Sequence, residues 1–144
     1  MARTFPLAGL LRLRQIEKEH AASDLAAANA LRRDVGSQQA RAIAALHNVT
    51  VETTDVSSLF AVAAARASSR SMLADLAALA ERVEHDAVEA QAAFSAAKAK
   101  AVGLEKLETR HRAELTALDL TVEQAAIDEA ATGAWVRERK GSEG

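Results

Sequence analysis

The stretch Val49-Thr-Val-Glu-Thr-Thr-Asp55-Val56 decides the fold, because it is the only strong turn signal in the interior of the chain. Its β-branched residues disfavour a helix, and Asp55 or Ser57 can cap a new helix that follows. The sequence on both sides is rich in helix-forming residues. One reversal between two helical stretches predicts an all-α fold, a long antiparallel two-helix coiled coil that forms a helical hairpin.

Local signals set the expected helix bounds. Thr4 and Pro6 are typical of a helix start, and no other proline interrupts the chain. We predict one hairpin domain over 1–140, with a disordered tail over 141–144. Within it we expect a helix over 5–48, a turn over 49–56, a short tip helix over 56–68 and a long helix over 72–138. A cluster of serines after the tip helix predicts a kink there.

Each helical stretch carries a seam, a row of mostly apolar residues at steps of three and four, as in coiled coils. The first seam contains Leu25, Ala28, Arg32, Val35, Gln39, Ala42, Leu46 and Val49, flanked by Leu31 and Ile43. The second contains Met72, Leu76, Leu79, Val83, Ala90, Phe94, Ala97, Ala101, Leu104, His111, Leu115, Leu118, Val122 and Ala125. With the tip helix outside the pairing, position 73 meets 50 and position 20 meets 103. Residues beyond 118 then project past the first helix.

Composition excludes several classes of protein. A quarter of the residues are alanine, so the hairpin buries little apolar area per residue, and we expect modest stability in isolation. The net charge of −2 with both signs mixed argues against nucleic-acid binding. There is no cysteine, and the longest apolar run, 59–65, is far shorter than the roughly 20 residues that span a bilayer. We predict a cytoplasmic protein that is not an enzyme and needs no cofactor.

Two Glu-x-x-His motifs raise the question of a metal site. Glu17 with His20, and Glu108 with His111, have the spacing that di-iron helical bundles use on two of four helices. A hairpin lacks four helices, and the expected register places His111 near position 12, about 12 Å along the helix from His20. We interpret these pairs as chance matches in a chain with many glutamates, and His85 among its glutamates as a residue of a solvated helical face.

The start of the chain has more large apolar side chains than one seam can bury. Arg3, Arg12, Arg14 and Lys18 surround Phe5, Leu7, Leu10, Leu11, Leu13 and Ile16. This segment is either a partner surface or a layer packed against the projecting end of the long helix. Phe60 with Leu59 poses the same question at the tip, where it either caps the hairpin or anchors a partner.

Two end motifs and the predicted hairpin together resemble a known family. The chain opens with Phe5-Pro-Leu7-x-x-Leu10-Leu11-Arg12-Leu13-Arg14 and closes with Glu123-Gln124-Ala-Ala-Ile-Asp128-Glu129-Ala-Ala. In a chain of this length these features resemble FliJ, the small coiled-coil component of the flagellar type III export apparatus. The motifs cover the two ends only, and Ala125 stands where the family often has a lysine.

The resemblance implies a stalk whose paired ends enter the hexameric ring of an export ATPase similar to FliI. It implies that the other end reaches an export-gate protein similar to FlhA, that the protein escorts export chaperones, and that it lies at the cytoplasmic face of the membrane through these partners. Carried over position by position, the expected partner-binding residues are Phe5, Leu7, Leu10, Leu11, Arg12, Arg14, Glu123, Gln124, Asp128 and Glu129. Phe60 joins them as the hydrophobic residue at the tip and not through the resemblance. The charged contacts are assigned to Arg12, Arg14, Asp128 and Glu129.

Other classes stay open at this point. A generic coiled-coil adaptor or dimerisation module would pair its seams between molecules. A stalk of another secretion system or rotary ATPase would share the hairpin architecture. A small secreted hairpin of the WxG kind fits poorly, because Trp135 lies near the C-terminus and is not followed by x-Gly.

Overall fold

A computed structural model describes residues 3–48 and 55–143, and it contains two long helices. Helix α1 is Ala8–His47 and helix α2 is Val56–Ser142. The described residues are 94% helical and include no strand. The two helices pack against each other, so the predicted all-α helical hairpin is confirmed.

Helix α1 begins three residues later than predicted. Pro6 and Leu7 form a turn, in which the Ala8 N–H donates to the Phe5 carbonyl at 3.0 Å. The Leu11 N–H then donates to the Leu7 carbonyl at 2.8 Å and opens the helical pattern. At the other end, the Asn48 N–H still donates to the Ala44 carbonyl at 3.0 Å.

Helix α2 is continuous where we predicted a separate tip helix over 56–68. The described chain has no break at Ser68–Ser71, and the helix continues to Ser142, into the tail that was expected to be disordered. Serine is only moderately unfavourable inside a helix, and no proline removes a hydrogen bond here. The prediction of a kink and a second tip element was therefore wrong. The predicted turn lies largely in 49–54, outside the described residues.

Asp55 caps the start of α2, as the sequence indicated. Its Oδ1 accepts a hydrogen bond from the Ser58 N–H at 2.7 Å and another from the Ser58 hydroxyl. The Asp55 carbonyl accepts from the Leu59 N–H at 3.2 Å. The bond from the Ser58 hydroxyl, and then that from the Ser58 N–H, hold the pKa of the Asp55 carboxyl below its ordinary value of 3.8.

This cap predicts a pH dependence of stability. Because the carboxyl has a lower pKa in the folded chain, its contribution is present above pH 3.8 and is lost as the pH falls through the folded pKa. Asp55→Asn keeps a capping oxygen but cannot titrate, and Asp55→Ala lacks the cap. We expect the stability advantage of wild type over Asp55→Asn to shrink below pH 3.8, as measured by urea unfolding followed by circular dichroism. An advantage that is constant with pH would contradict this role of the carboxyl.

The contacts divide the chain into two compact units. Unit 1 is Met1–Arg14 with Lys100–Gly144, and unit 2 is Gln15–Ala99. In unit 2, Val35, Val83 and Ala87 are buried. The half-buried residues around them include Leu25, Ala28, Gln39, Ala42, Leu46, Leu73, Leu76, Ala80, Ala90, Phe94 and Ala97.

Most of the predicted seam is confirmed, with a few changes. In unit 2 the α2 seam uses Leu73 and Ala80 where we predicted Met72 and Leu79, which are exposed. In unit 1 the core consists of buried Leu11 and Ala101, with half-buried residues after Ala101. The seam ends at Leu115, so the predicted members Leu118, Val122 and Ala125 are exposed. Val49 lies outside the described residues.

The register differs from the prediction by one heptad. In unit 2, Arg32 Nη1 lies 3.4 Å from Glu84 Oε2, whereas the predicted register places position 84 near position 39. In unit 1, His111 contacts Phe5, whereas the prediction placed it near position 12. A shift of seven residues preserves every seam position, so the apolar pattern alone does not distinguish these registers.

Candidate partner-binding surface

Unit 1 contains both of the predicted partner-binding ends. Its first segment, Met1–Arg14, includes the opening motif, and its second, Lys100–Gly144, includes the closing motif. Phe60, the predicted tip residue, belongs to unit 2.

The N-terminal residues of unit 1 are attached to α2 by an aromatic contact and an ion pair. The Phe5 ring lies 5.7 Å from the His111 ring, centre to centre, with the planes at 48°. Arg3 donates to both carboxylate oxygens of Asp119, with Nη1 to Oδ2 at 3.0 Å. A shallow groove beside these contacts is lined by Arg3, Thr4, Phe5, Ala8, Glu108, His111 and Arg112. Phe5 is therefore half-buried by contacts within the chain, and only part of it is accessible to a partner.

His111 lies in the apolar seam. Its Nε2 is buried and has no hydrogen-bond partner among the described residues. Over the same residues, no group of three or more His, Cys, Asp or Glu side chains is arranged to hold a metal ion. Of the other histidines that we considered, His20 pairs with Asp24 and His85 with Glu89, each at 3.2 Å on exposed surfaces.

The apolar residues of the opening motif divide into two sets. Leu11 is only 7% exposed and belongs to the core of unit 1, so its side chain packs within the chain and is not accessible to a partner. Leu10 and Leu13 on α1, and Leu7 in the turn before it, remain exposed. Two hypotheses were open for this segment, packing within the chain and an exposed partner surface. The burial of Leu11 agrees with the first, and the exposure of the other three leucines agrees with the second.

The charged residues of the opening motif differ in exposure. Arg12 is exposed, whereas Arg14 is half-buried and has an interaction of its own. Arg12 is therefore the more accessible of these two arginines.

The C-terminal segment, which we define as residues 116–143, is exposed at every position. It contains the closing motif, and Gln124 Nε2 donates to Asp128 Oδ1 at 2.9 Å, one turn further along the helix. Glu123 and Glu129 extend the acidic surface. Large apolar side chains share this segment: Leu118, Leu120, Val122, Ile127, Trp135 and Val136. Isolated helices are marginal in water, so a helix with this much exposed apolar surface is suited to bind a partner.

A second apolar surface lies at the start of α2, in unit 2. Phe60 is 72% exposed, and Val56 and Leu59 are exposed beside it. A shallow groove along the same helix is lined by Leu59, Val62, Ala63, Arg66, Ala67 and Arg70. The described residues thus leave Phe60 uncovered. This exposure favours the hypothesis that Phe60 anchors a partner over the hypothesis that it caps the hairpin.

Sequence reasoning missed the two pairs that attach the N-terminal residues to α2. Arg3 and Asp119 are opposite charges separated by 116 residues, and we did not single them out as a pair from the sequence. The contact between Phe5 and His111 depends on the observed register, which is one heptad away from the predicted one.

The fold and these surfaces define an all-α helical hairpin with exposed apolar and charged side chains in unit 1 and at the start of α2. No stretch of the described helices is long and apolar enough to cross a bilayer. Comparisons with protein-family models, curated proteins and solved structures gave no significant match.

Proposed function

We propose that this chain is a coiled-coil stalk of the flagellar protein export apparatus, similar to FliJ, which binds the ring of an export ATPase. The observation that supports this most is the placement of both end motifs in unit 1, where their exposed residues are available together. A stalk that enters a ring through its paired ends needs its opening and closing motifs in one unit.

The chemistry of unit 1 fits such a contact. Leu7 and Leu10 provide apolar surface, and Arg12 provides positive charge. Asp128 and Glu129 provide negative charge on the C-terminal segment. A surface that carries both positive and negative charges can form different ion pairs with the successive conformational states of a surrounding ATPase. It shifts the populations of those states only if it binds them with unequal affinity.

The remaining parts of the proposal follow from the resemblance. The surface around Phe60 would contact the export-gate protein, and the helical faces would escort export chaperones. The chain would then act in the cytoplasm and reach the membrane face through these partners. The exposed Phe60 and the neighbouring groove support a docking role at this end.

Charge reversal in unit 1 tests the ATPase contact. We expect Arg12→Glu together with Asp128→Arg and Glu129→Arg to weaken binding to the export ATPase about tenfold or more, because attractive pairs become repulsive. Arg14→Glu is made separately, since Arg14 has an interaction within the chain that its reversal would disturb. Binding is measured by titration, and stimulation of ATP hydrolysis is measured in parallel.

Matched controls come from unit 2. Arg33→Glu with Asp86→Arg reverses similar exposed charges away from both ends and should leave affinity unchanged. Equal affinity of the unit 1 variants and wild type would refute the assignment. If the wild-type chain does not bind the export ATPase, the alternative functions are favoured, namely a coiled-coil adaptor or the stalk of another secretion system or rotary ATPase.

A further inference from the structure

The shallow groove near the start of α2 has two basic and no acidic side chains among its described lining residues. We call it the basic groove, and it is lined by Leu59, Val62, Ala63, Arg66, Ala67 and Arg70. Over 56–74, Arg66 and Arg70 are the only charged residues, and both are exposed. Neither arginine has an ion pair or a side-chain hydrogen bond among the described residues. The groove thus carries two positive charges that no described residue neutralises.

Four of the lining residues form one row along α2. They follow each other at steps of four, three and four, and they are Leu59, Ala63, Arg66 and Arg70. At 3.6 residues per turn, these four positions lie within about 60° of one another around the helix. Steps of three and four are the spacing of a coiled-coil seam, so a second helix is the shape that fits the row. The row is apolar near the start of α2 and positive further along it.

We propose that the basic groove binds an acidic amphipathic helix of another protein. Apolar side chains of that helix cover Leu59 and Val62, and the exposed Phe60 beside them extends the apolar contact. Arg66 and Arg70 are separated by about 6 Å along α2, the same distance as two carboxylates four residues apart on a partner helix. Each arginine can therefore pair with one carboxylate, and such pairs are the stronger kind of hydrogen bond.

The position of the two arginines favours a protein partner over a lipid surface. A helix that lies on a membrane keeps its basic residues on the polar face, opposite its apolar residues. Here Arg66 and Arg70 lie in the same row as Leu59, so insertion of the row would bring two charges toward the apolar layer. A helix that carries carboxylates neutralises these charges at the contact.

The inference deepens the docking role that we proposed for this end of the hairpin. It rests on the proposed export function only for the identity of the natural partner, because the groove itself is defined by its own residues. Its test therefore uses a synthetic peptide and no export component.

A fluorescein-labelled helical peptide of about 20 residues tests the groove in the full chain. The peptide has leucines along one face and pairs of glutamates four residues apart at the end of that face. We expect saturable binding, followed by fluorescence anisotropy. Arg66→Glu together with Arg70→Glu should weaken it about tenfold or more, because attraction becomes repulsion. The same peptide with glutamine in place of glutamate should also bind more weakly.

A charge swap and a matched variant make the test specific. A peptide with lysine in place of glutamate should bind the reversed variant better than it binds wild type. Arg137→Glu with Lys140→Glu makes the same change of charge at exposed positions near the other end of α2 and should leave the affinity for the acidic peptide unchanged. Circular dichroism of each variant confirms equal helix content, so a loss of binding cannot be mistaken for a loss of fold.

Three results would overturn the proposal. The first is no saturation by the acidic peptide up to about 1 mM, and the second is equal affinity of the reversed variant and wild type. The third is binding to phosphatidylserine vesicles that requires both arginines while the peptide does not bind, which would assign the groove to a lipid surface. None of these results bears on the ATPase contact of unit 1, and a failure of that contact leaves the peptide result standing.

Discussion

Val35→Asp is expected to abolish the pairing of α1 with α2 in unit 2. Val35 is 2% exposed and is the largest fully buried side chain among the described residues. A carboxylate at this position would have no polar partner in the seam, and burying it should cost more than about 3 kcal/mol. The seam is rich in alanine, so few other large apolar side chains are available to offset this loss of stability. The midpoint of urea unfolding should fall by most of its value, or the variant should be unfolded without denaturant.

The matched control is Val88→Asp on α2. Val88 is 58% exposed, so the same substitution there leaves the new carboxylate in water. We expect a change within about 0.5 kcal/mol, typical of a surface position. Equal losses at the two positions would contradict the placement of Val35 in the core, and so would a stable Val35→Asp protein.

Ala101→Leu is expected to destabilise unit 1. Ala101 is 0% exposed, so the added carbon atoms cannot extend into solvent, and α1 must move away or the leucine must adopt a strained rotamer. Overpacking of this kind costs about 1–3 kcal/mol. Thermal unfolding followed by circular dichroism should therefore show a lower midpoint. Since leucine is a good helix former, any loss must come from packing and not from helix propensity.

Ala99→Leu provides the control for this substitution. Ala99 is exposed two positions earlier on the same helix, and a leucine there should leave the midpoint almost unchanged. A higher unfolding midpoint for Ala101→Leu would contradict the prediction. It would mean that the leucine side chain fills a void and that Ala101 does not lie at a close contact between the helices.

The sequence contained enough information to predict the helices and most of the seam. Alanine content, the single proline and the Asp55 cap are local signals, and local signals determine helix existence and starts. Val35 and Val83 were placed in the seam because steps of three and four repeat with little ambiguity. The serines at 68–71 were overinterpreted, since serine weakens a helix without ending it.

Register could not be predicted in the same way. A heptad pattern maps onto itself after seven residues, so Glu84 opposite Arg32 and Glu84 opposite Gln39 satisfy the same apolar pattern. Our choice assumed a tip helix outside the pairing. Residues of the partner-binding surface whose environment depends on register, such as Phe5 beside His111, were therefore beyond sequence reasoning. The exposed charges of the closing motif did not depend on register, and the structure places them on the surface.

The central claim is that two seams of the same chain face each other, antiparallel, with Arg32 beside Glu84. The chain has no cysteine, so nitroxide labels can be attached at chosen pairs of introduced cysteines. Arg32→Cys with Glu84→Cys should give strong dipolar broadening that persists after dilution with unlabelled protein. Gln39→Cys with Glu84→Cys should give weaker broadening, because seven residues displace the label by about 10 Å along the helix. Stronger broadening from the second pair, or loss of the signal on dilution, would contradict the account.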